Sequence, residues 1–232
     1  MTIIAQSLQV IQANIVQAQL SAGRIETIKL LAVSKSQNAT NIRMAYAAGQ
    51  HCFGENYVQE TIDKQSELTD LCIEWHFIGP IQSNKTSLIA QHFNWVQSVD
   101  RLKIATRLND ARPKALGLLN VCIQLNSSEE TSKSGVNKDE LLDLAQAITR
   151  LPNLKLRGIM AIPAPVATFN EQRAQFKTVN DTFKCLIANG FILDTLSIGM
   201  SNDYEAAIYE GATIVRIGSA LFGARPNFNK LD

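Results

Sequence analysis

Short apolar runs typical of buried strands alternate with amphipathic, helix-like segments along the chain, and this alternation constrains the fold more than any other feature. The segments that we predict as strands are 30–33, 52–54, 74–79, 95–99, 118–125, 155–160, 193–198 and 213–217. Strands that alternate with helices form a parallel sheet with right-handed crossovers, an α/β fold. Eight such units in 232 residues favour closure into a (β/α)8 barrel, and an open doubly wound sheet is the alternative.

Helical segments precede and separate these strands. Apolar residues recur at spacings of three and four near the N-terminus, which predicts an amphipathic helix over 3–22 that ends near Gly23. Asn38 or Thr40 is expected to cap the next helix, which runs through Ala48. The remaining predicted helices are 84–92, 100–109 with Asp100 as its cap, 138–150, 169–188 and 202–209.

Composition and charge narrow the function classes. The chain carries 22 lysine and arginine residues against 21 acidic ones, a net charge of +1, and it has no run of five like charges. This balance predicts neither nucleic acid nor a membrane surface as a partner. No apolar run approaches the roughly 20 residues that span a bilayer, and the N-terminus lacks the apolar core of a secretory signal. We expect a cytoplasmic protein that forms a single domain over 1–232.

The four cysteines are widely separated, and none forms a C-x-x-C pair or lies at metal-ligand spacing from a histidine. Cys52, Cys72 and Cys122 lie in apolar, strand-like runs, where a free cysteine usually acts as a small hydrophobic residue. The pattern therefore predicts reduced thiols and no structural metal.

Lys35 is the first candidate functional residue. The apolar run 30–33 ends abruptly in Ser34 and Lys35, which places the lysine after the carboxyl end of a buried parallel strand. Active sites of parallel α/β folds lie at this rim. Taken alone, a solvated lysine at a strand end is the ordinary interpretation, since lysines are mostly exposed.

The loops after the last two strands are candidates for binding an anion, as expected for a phosphate site in a barrel. After the seventh strand, Asn202 and Glu205 match a capping box, so a helix N-terminus with free backbone N–H groups is expected there. After the eighth strand, Gly218 and Ser219 allow a close approach of the backbone. Each feature alone is ordinary loop chemistry, but their occurrence in adjacent loops predicts an anion pocket.

Two polar residues lie inside predicted strands. Arg216 interrupts an apolar run, and burying its charge is costly unless a partner is present. That partner is either a ligand or a structural carboxylate, with the candidates Glu55, Glu74 and Asp194. His76 lies between Trp75 and Phe77, and we predict a core histidine with satisfied hydrogen bonds, with a contact residue of the site as the alternative. An amine, an anion pocket and an interior arginine suit a phosphorylated aldehyde, which leaves a pyridoxal 5'-phosphate (PLP) protein or a Schiff-base aldolase.

Several long segments resemble the pyridoxal phosphate homeostasis protein family, whose fold is the barrel domain of alanine racemase (PLP fold type III). The ordered set is highly specific and covers about Leu30 to Arg225. The matching segments are LLAVSKS (30–36), FGENYVQE (53–60), WHFIGPIQSNK (75–85), VDRLKIATRLN (99–109), SSEETSKSGV (127–136), LRGIMAIPAP (156–165), LSIGMSNDYEAAI (196–208) and VRIGSALFGAR (215–225).

The resemblance implies a role for each residue of the candidate cofactor site. Lys35 is implied to hold PLP as an internal aldimine, and Arg216 to face the pyridine nitrogen. The residues implied to complete the cofactor site are Asn56, near the cofactor, and Met200, Ser201, Gly218 and Ser219, around the phosphate. Asn202 stands where an acidic residue is common and Ser219 where threonine is common, and each keeps a short polar group.

The resemblance also implies a function without turnover. Arg216 against the ring nitrogen disfavours its protonation and weakens PLP as an electron sink. Racemases of this fold use an additional domain, for which we expect this chain to have no residues left. The implied protein is a monomer that carries or regulates PLP for vitamin B6 homeostasis, with apo PLP-dependent enzymes as acceptors. The alternative is a small PLP-dependent racemase or decarboxylase.

Two further lysines lie near the predicted rim. Lys85 begins a predicted helix, and we interpret it as a solvated lysine. Lys133 lies in the serine-rich loop after the fifth strand, and our hypothesis is that it helps PLP to enter or leave.

Overall fold

Eight parallel strands close into a barrel in which each strand pairs with the next along the chain and β8 pairs with β1. The computed structural model describes residues 2–127 and 134–223. The strands are β1 (Lys29–Val33), β2 (Cys52–Glu55), β3 (Glu74–Phe77), β4 (Trp95–Val99), β5 (Leu119–Leu125), β6 (Leu154–Ala161), β7 (Thr195–Ser197) and β8 (Ile214–Ile217). The predicted (β/α)8 barrel is confirmed, and the open sheet is wrong.

Helices surround the barrel and connect consecutive strands. Those of the described chain are α1 (Ile3–Ser21), α2 (Ala39–Ala47), α3 (Val58–Glu67), α4 (Thr86–His92), α5 (Leu102–Ala111), α6 (Lys138–Thr149), α7 (Phe169–Ala188), α8 (Tyr204–Tyr209) and α9 (Ser219–Phe222). Short 3-10 turns cover Ser83–Lys85 and Lys114–Leu116. None of the helices in the described chain is both long and apolar enough to cross a membrane.

The N-terminal helix shows how periodicity sets the packing. The residues of α1 that are buried recur every three or four positions, as the sequence predicts: Ile4, Leu8, Ile11, Ile15 and Ala18. This face packs against α2, α8 and α9, so α1 covers the outer helices where the barrel closes. The helix ends before Gly23, whose φ of 66° lies in the left-handed region.

The structure corrects several local predictions. The helix α3 is absent from the sequence predictions, because its residues are mostly polar. Asp100 does not cap α5, because that helix begins at Leu102 with Arg101 at the N-cap and no side-chain capping bond. Asp100 instead pairs with Arg101 at 2.7 Å. All four cysteines are free thiols, but Cys72 is exposed in a loop rather than buried in a strand.

Candidate functional site

A cavity of about 410 Å³ lies at the carboxyl ends of the strands. Its wall includes residues that follow β1, β2, β6, β7 and β8. All seven predicted cofactor-binding residues line it, namely Lys35, Asn56, Met200, Ser201, Arg216, Gly218 and Ser219. The structure therefore brings together side chains that are up to 184 positions apart in the sequence (35 to 219), while their cofactor contacts stay predictions.

Lys35 lies in a tight turn whose neighbouring residues are hydrogen-bonded to two carboxylates. The turn follows β1, and Ser36 adopts a φ of 63°, a left-handed conformation that is uncommon for serine. The backbone N–H of Ser36 donates to Glu60 Oε1 at 2.7 Å, and the hydroxyl of Ser34 donates to Glu55 Oε1 at 2.7 Å. The residues on both sides of Lys35 are thus fixed by hydrogen bonds.

Lys64 of α3 joins these carboxylates into one buried network. Its Nζ donates to Glu55 Oε1 at 2.7 Å, to Glu60 Oε1 at 2.5 Å and to the carbonyl of Ser34 at 2.8 Å. Burial raises the pKa of Glu55, and the ammonium of Lys64 opposes that rise. Neither α3 nor this network is among the sequence predictions, although Glu60 and Lys64 lie one helical turn apart, which is a signal of such a pair.

The loop after β7 forms the opposite side of the cavity. Its glycine, Gly199, has a φ of 90°, and an added Cβ would lie 2.6 Å from the Cβ of Ala207. The carboxylate of Asp203 accepts a hydrogen bond from the backbone N–H of Met200 at 2.5 Å. Asp203 also lines the cavity, and burial raises its pKa. This carboxylate, which the sequence analysis did not single out, closes the loop that carries Ser201.

The predicted capping box of Asn202 and Glu205 does not form. The helix α8 begins at Tyr204, so Asp203 occupies the N-cap, and it makes no side-chain capping bond. The prediction was wrong by one residue, because Asn202 and Asp203 are both short polar residues that favour helix starts.

Gly218 brings the loop after β8 close to the end of β1. An added Cβ at this position would lie 3.2 Å from the carbonyl oxygen of Val33 and 3.3 Å from its Cβ. A larger residue would therefore push the Gly218–Ser219 backbone away from the turn that contains Lys35. The same closeness brings Ser219 and Lys35 to one cavity wall.

Arg216 is buried, with 4% of its surface exposed, and it binds neutral oxygen atoms. Nη1 donates to the carbonyl and the hydroxyl of Ser197 at 2.6 and 2.8 Å, and Nη2 donates to the carbonyl of Ala161 at 2.9 Å. Burial lowers the pKa of Arg216 to about 10, and the charge of Asp203 opposes this shift, so the guanidinium stays protonated at neutral pH.

The carboxylates proposed as structural partners of Arg216 bind other groups. In the described chain Glu55 pairs with Lys64, Glu74 with Lys29 and His76, and Asp194 with Arg157. The ion-pair alternative is therefore wrong for these three residues. The charge of Arg216 is left facing the cavity that it lines.

Asn56 supplies an acceptor on the wall of the cavity. Its Oδ1 is buried and has no hydrogen-bond partner in the described part of the chain. A buried amide oxygen without a partner is costly, so this atom is suited to a ligand that donates or to a bridging water. Across the cavity, the wall is apolar along 162–166 and is completed by Gln172 and Gln175 of α7.

The other candidates lie elsewhere. His76 is fully buried and bonded to Glu74 and Gln97, which confirms the prediction of a satisfied core histidine. Lys85 is partly buried in the turn before α4 and is not among the residues that line the cavity. Lys133 lies outside the described residues.

Comparison with known proteins identifies relatives over nearly the whole chain. A family model described as the alanine racemase N-terminal domain matches residues 6–226. The chain is 56% identical over 226 residues to the pyridoxal phosphate homeostasis protein of Pseudomonas aeruginosa, covering 97% of both chains. It is 51% identical to the protein of that name from Escherichia coli, covering 96% of this chain and 97% of the relative.

Solved structures agree with these relatives. The PipY protein of Synechococcus elongatus, in a structure with PLP bound, is 35% identical with a TM-score of 0.84, covering 95% of this chain and all of PipY. An alanine racemase from Corynebacterium glutamicum superposes with a TM-score of 0.71 at 18% identity, covering 97% of this chain and 61% of the racemase. The second likeness shows the shared barrel fold alone.

Proposed function

The chain belongs to the pyridoxal phosphate homeostasis proteins of the alanine racemase N-terminal domain family, and from this we propose that it binds PLP in the rim cavity. We further propose that it serves intracellular PLP homeostasis as a carrier or regulator and does not turn over amino acids. The observation that carries the proposal is the single cavity that Lys35, Arg216 and the loops after β7 and β8 share.

The chemistry of the cavity fits PLP. The cofactor supplies an aldehyde, and Lys35 is the primary amine on the wall of the cavity. We propose that its Nζ attacks the aldehyde carbon, so that a C=N bond forms and the aldehyde oxygen leaves as water. Asn56 Oδ1, which has no hydrogen-bond partner among the described residues, provides an acceptor in the same cavity.

The phosphate is proposed to bind between the last two loops. Ser201 and Ser219 supply hydroxyl donors, and Gly218 keeps the second loop close to β1. Met200 lies beside Ser201, and its backbone N–H is already bonded to Asp203. Arg216 is proposed to face the pyridine nitrogen, where a fixed positive charge disfavours protonation of the ring.

The titratable groups of the cavity support binding without turnover. Among the described lining residues, the ionisable side chains are those of Lys35, Asp203 and Arg216. Asp203 is engaged by the N–H of Met200, and Arg216 does not lose its proton at neutral pH. Racemisation needs an acid and a base on opposite faces of the substrate, and decarboxylation needs an effective electron sink. We propose that neither requirement is met.

The remaining features of the proposal concern organisation. We propose that residues 1–232 act as a single PLP-binding barrel domain, in the cytoplasm and as a monomer. The acceptors are proposed to be apo PLP-dependent enzymes, which need the cofactor that this protein would hold.

Lys35→Ala is the first test of the proposal. The purified protein is incubated with PLP, reduced with borohydride and digested, and mass spectrometry locates the cofactor. We expect the label on the peptide that contains Lys35 and its loss in Lys35→Ala. Lys85→Ala is the matched control, because Lys85 does not line the cavity, and it should be labelled like the parent protein.

Two further measurements separate the proposal from its rivals. The PLP-loaded protein is mixed with an apo PLP-dependent enzyme, and recovery of that enzyme's activity is expected. The loaded protein is also incubated with a panel of amino acids, and chiral chromatography should show no racemisation or decarboxylation. Steady turnover that Lys35→Ala abolishes would instead identify a small PLP enzyme. Trapping of a sugar phosphate, with no PLP bound, would identify an aldolase.

A further inference from the structure

A continuous chain of polar side chains crosses the barrel from the cavity to its opposite mouth. Arg216 Nη1 lies 2.8 Å from Ser197 Oγ, which lies 2.7 Å from Gln97 Oε1. Gln97 Nε2 lies 2.9 Å from His76 Nδ1, and His76 Nε2 lies 2.8 Å from Glu74 Oε1. Ser197, Gln97 and His76 are fully buried, so water does not compete for these hydrogen bonds.

The groups at the two ends of this chain determine the direction in which its hydrogen bonds are donated. A guanidinium has donors and no acceptor, so Ser197 Oγ accepts from Arg216 and donates its own hydrogen to Gln97 Oε1. The amide group of Gln97 then donates to His76 Nδ1, which leaves the histidine proton on Nε2. At the far end Glu74 accepts that proton's hydrogen bond, since hydrogen bonds from His76 and Lys29 hold the pKa of its carboxyl well below its usual range.

The reverse direction is disfavoured at both ends. If the amide of Gln97 were turned over, the hydroxyl of Ser197 would lose its acceptor. The Nε2 lone pair of His76 would then face the carboxylate of Glu74 at 2.8 Å. Burial lowers the pKa of His76, so the ring does not escape this conflict by binding a second proton.

The far end of the chain also contains a group of metal-ligand atoms. The ligand atoms of Cys52, Glu74 and His76 lie within 4.8 Å of one another. The direction of the chain puts a proton on the His76 atom that faces the group, and Lys29 Nζ lies 2.9 Å from Glu74 Oε1. A protonated ring nitrogen cannot bind a metal. A metal ion would therefore have to displace this proton, and without one the cluster ends the chain of hydrogen bonds.

We propose that Gln97 and Ser197 are positioning residues for Arg216, held in direction by His76 and Glu74, an inference that rests on the proposed PLP-binding function. Gln97 takes the hydroxyl hydrogen of Ser197 and so turns the lone pairs of that oxygen toward the guanidinium. This bond is one of the three that fix Arg216 in the cavity wall. Without it, the two bonds to the carbonyls of Ser197 and Ala161 remain, and the guanidinium is held less tightly in the position proposed to face the pyridine nitrogen.

Two substitutions at Gln97 separate this role from simple packing. Gln97→Met removes the acceptor for Ser197, and we expect PLP binding to weaken about tenfold, the worth of one hydrogen bond. Gln97→Glu keeps that acceptor, and PLP affinity should stay within about threefold of the parent protein. Gln50→Met is the matched control. Gln50 is also a buried glutamine, but it bonds to the carbonyls of Leu30 and Cys52 and takes no part in this chain of hydrogen bonds. The PLP affinity of this variant should be unchanged.

The tautomer of His76 is a readout that does not need the cofactor. Nitrogen-15 NMR of the unliganded protein should show His76 neutral with its proton on Nε2, assigned against variants of the other two histidines, His51 and His92. In Gln97→Glu the ring lies between two carboxylates, so His76 should become an imidazolium at neutral pH.

The PLP affinity of Gln97→Met and the tautomer of His76 test the inference independently. Full PLP affinity in Gln97→Met, or a His76 proton on Nδ1 in the parent protein, would overturn the inference. If the parent protein does not bind PLP, the proposed function fails, and the NMR result still decides the direction of the chain. If Gln97→Met does not fold, Ser197→Ala removes the hydroxyl acceptor of Arg216 with a smaller change in volume. Its PLP affinity should fall about tenfold, and full affinity would overturn the inference.

Discussion

Replacing Lys64 with methionine tests the buried network behind Lys35. The side chain is 6% exposed, and its ammonium is bonded to Glu55, Glu60 and the carbonyl of Ser34. Methionine fills a similar volume without the charge, so the variant leaves the fully buried carboxylate of Glu55 with the hydroxyl of Ser34 as its partner in the described chain. The substitution therefore isolates the cost of an uncompensated buried charge.

Removing one partner of a buried ion pair costs roughly 3–5 kcal/mol of the free energy of unfolding. The lower end applies here, because the side chain of Glu60 is 32% exposed and recovers some solvation. We expect a loss of about 3 kcal/mol. Urea denaturation reports it through the fluorescence of Trp75 and Trp95, which are buried in β3 and β4.

The loss in Lys64→Met should depend on pH with a defined sign. Burial already raises the folded-state pKa of Glu55 above its unfolded value, and removing Lys64 takes away the group that opposes this rise. Between the two pKa values the folded state binds more protons than the unfolded state, so stability falls as pH rises. The deficit relative to the parent protein should therefore shrink as pH is lowered from neutral, because Glu55 takes up a proton in the folded variant before it does so in the unfolded chain.

Two control variants complete the test. The double variant Glu55→Gln with Lys64→Met has no buried charge to compensate and should be more stable than Lys64→Met alone. Lys177→Met removes an exposed pair with Asp181 and should leave the denaturation midpoint almost unchanged. A Lys64→Met loss below about 1 kcal/mol, or a loss that does not shrink at low pH, would refute the argument.

Two further predictions concern the loop after β7 and the barrel wall. Asp203→Ala should weaken PLP binding about tenfold, because the backbone N–H of Met200 loses its acceptor. Asp203→Asn keeps an acceptor, and its PLP affinity should stay within about threefold of the parent protein. Equilibrium dialysis with PLP compares the two variants, and equal affinities would contradict this role of Asp203. Gly158→Ala should cost about 3 kcal/mol or more in urea denaturation, because the added Cβ would lie 1.7 Å from the carbonyl oxygen of Thr195, and a smaller loss would show that β6 and β7 can separate.

The sequence predicted the barrel because the fold depends on a repeated pattern. Each strand is a short apolar run and most helices show a clear period, so an error of one or two residues at an end does not change the count. The rim position of Lys35 followed from the same pattern. Its predicted strand, 30–33, differs from β1 by one residue.

The local supports of the site were harder to predict. The apolar positions of α3 are few, and its buried face includes Lys64, a residue type that is almost never fully buried unless paired. The pairing that makes its burial acceptable joins α3 to β2 and to the turn after β1, and such a contact is not encoded in local periodicity. At Asp203 the difficulty was the register of a helix start, because two adjacent residues are equally suited to the cap.

Arg216 shows why its partners could not be deduced from composition. A buried charge without compensation is costly, so an interior arginine predicts carboxylate partners. Arg216 instead donates to the carbonyl of Ala161 and to the carbonyl and hydroxyl of Ser197. These acceptors lie at the ends of β6 and β7. Backbone carbonyls are present at every strand end, so no residue type in the sequence signals them.

The two buried cations, Lys64 and Arg216, therefore differ in the groups that compensate their charge. Lys64 is paired with Glu55 and Glu60, so its charge is compensated within the protein. In the described chain Arg216 bonds to neutral oxygen atoms, and the carboxylate that acts on it, Asp203, is itself engaged by a backbone N–H. The first arrangement holds a turn in place, whereas the second puts a guanidinium on the wall of the cavity. In the proposed complex, the phosphate of PLP supplies negative charge to the cavity and its unprotonated ring nitrogen supplies an acceptor for Arg216.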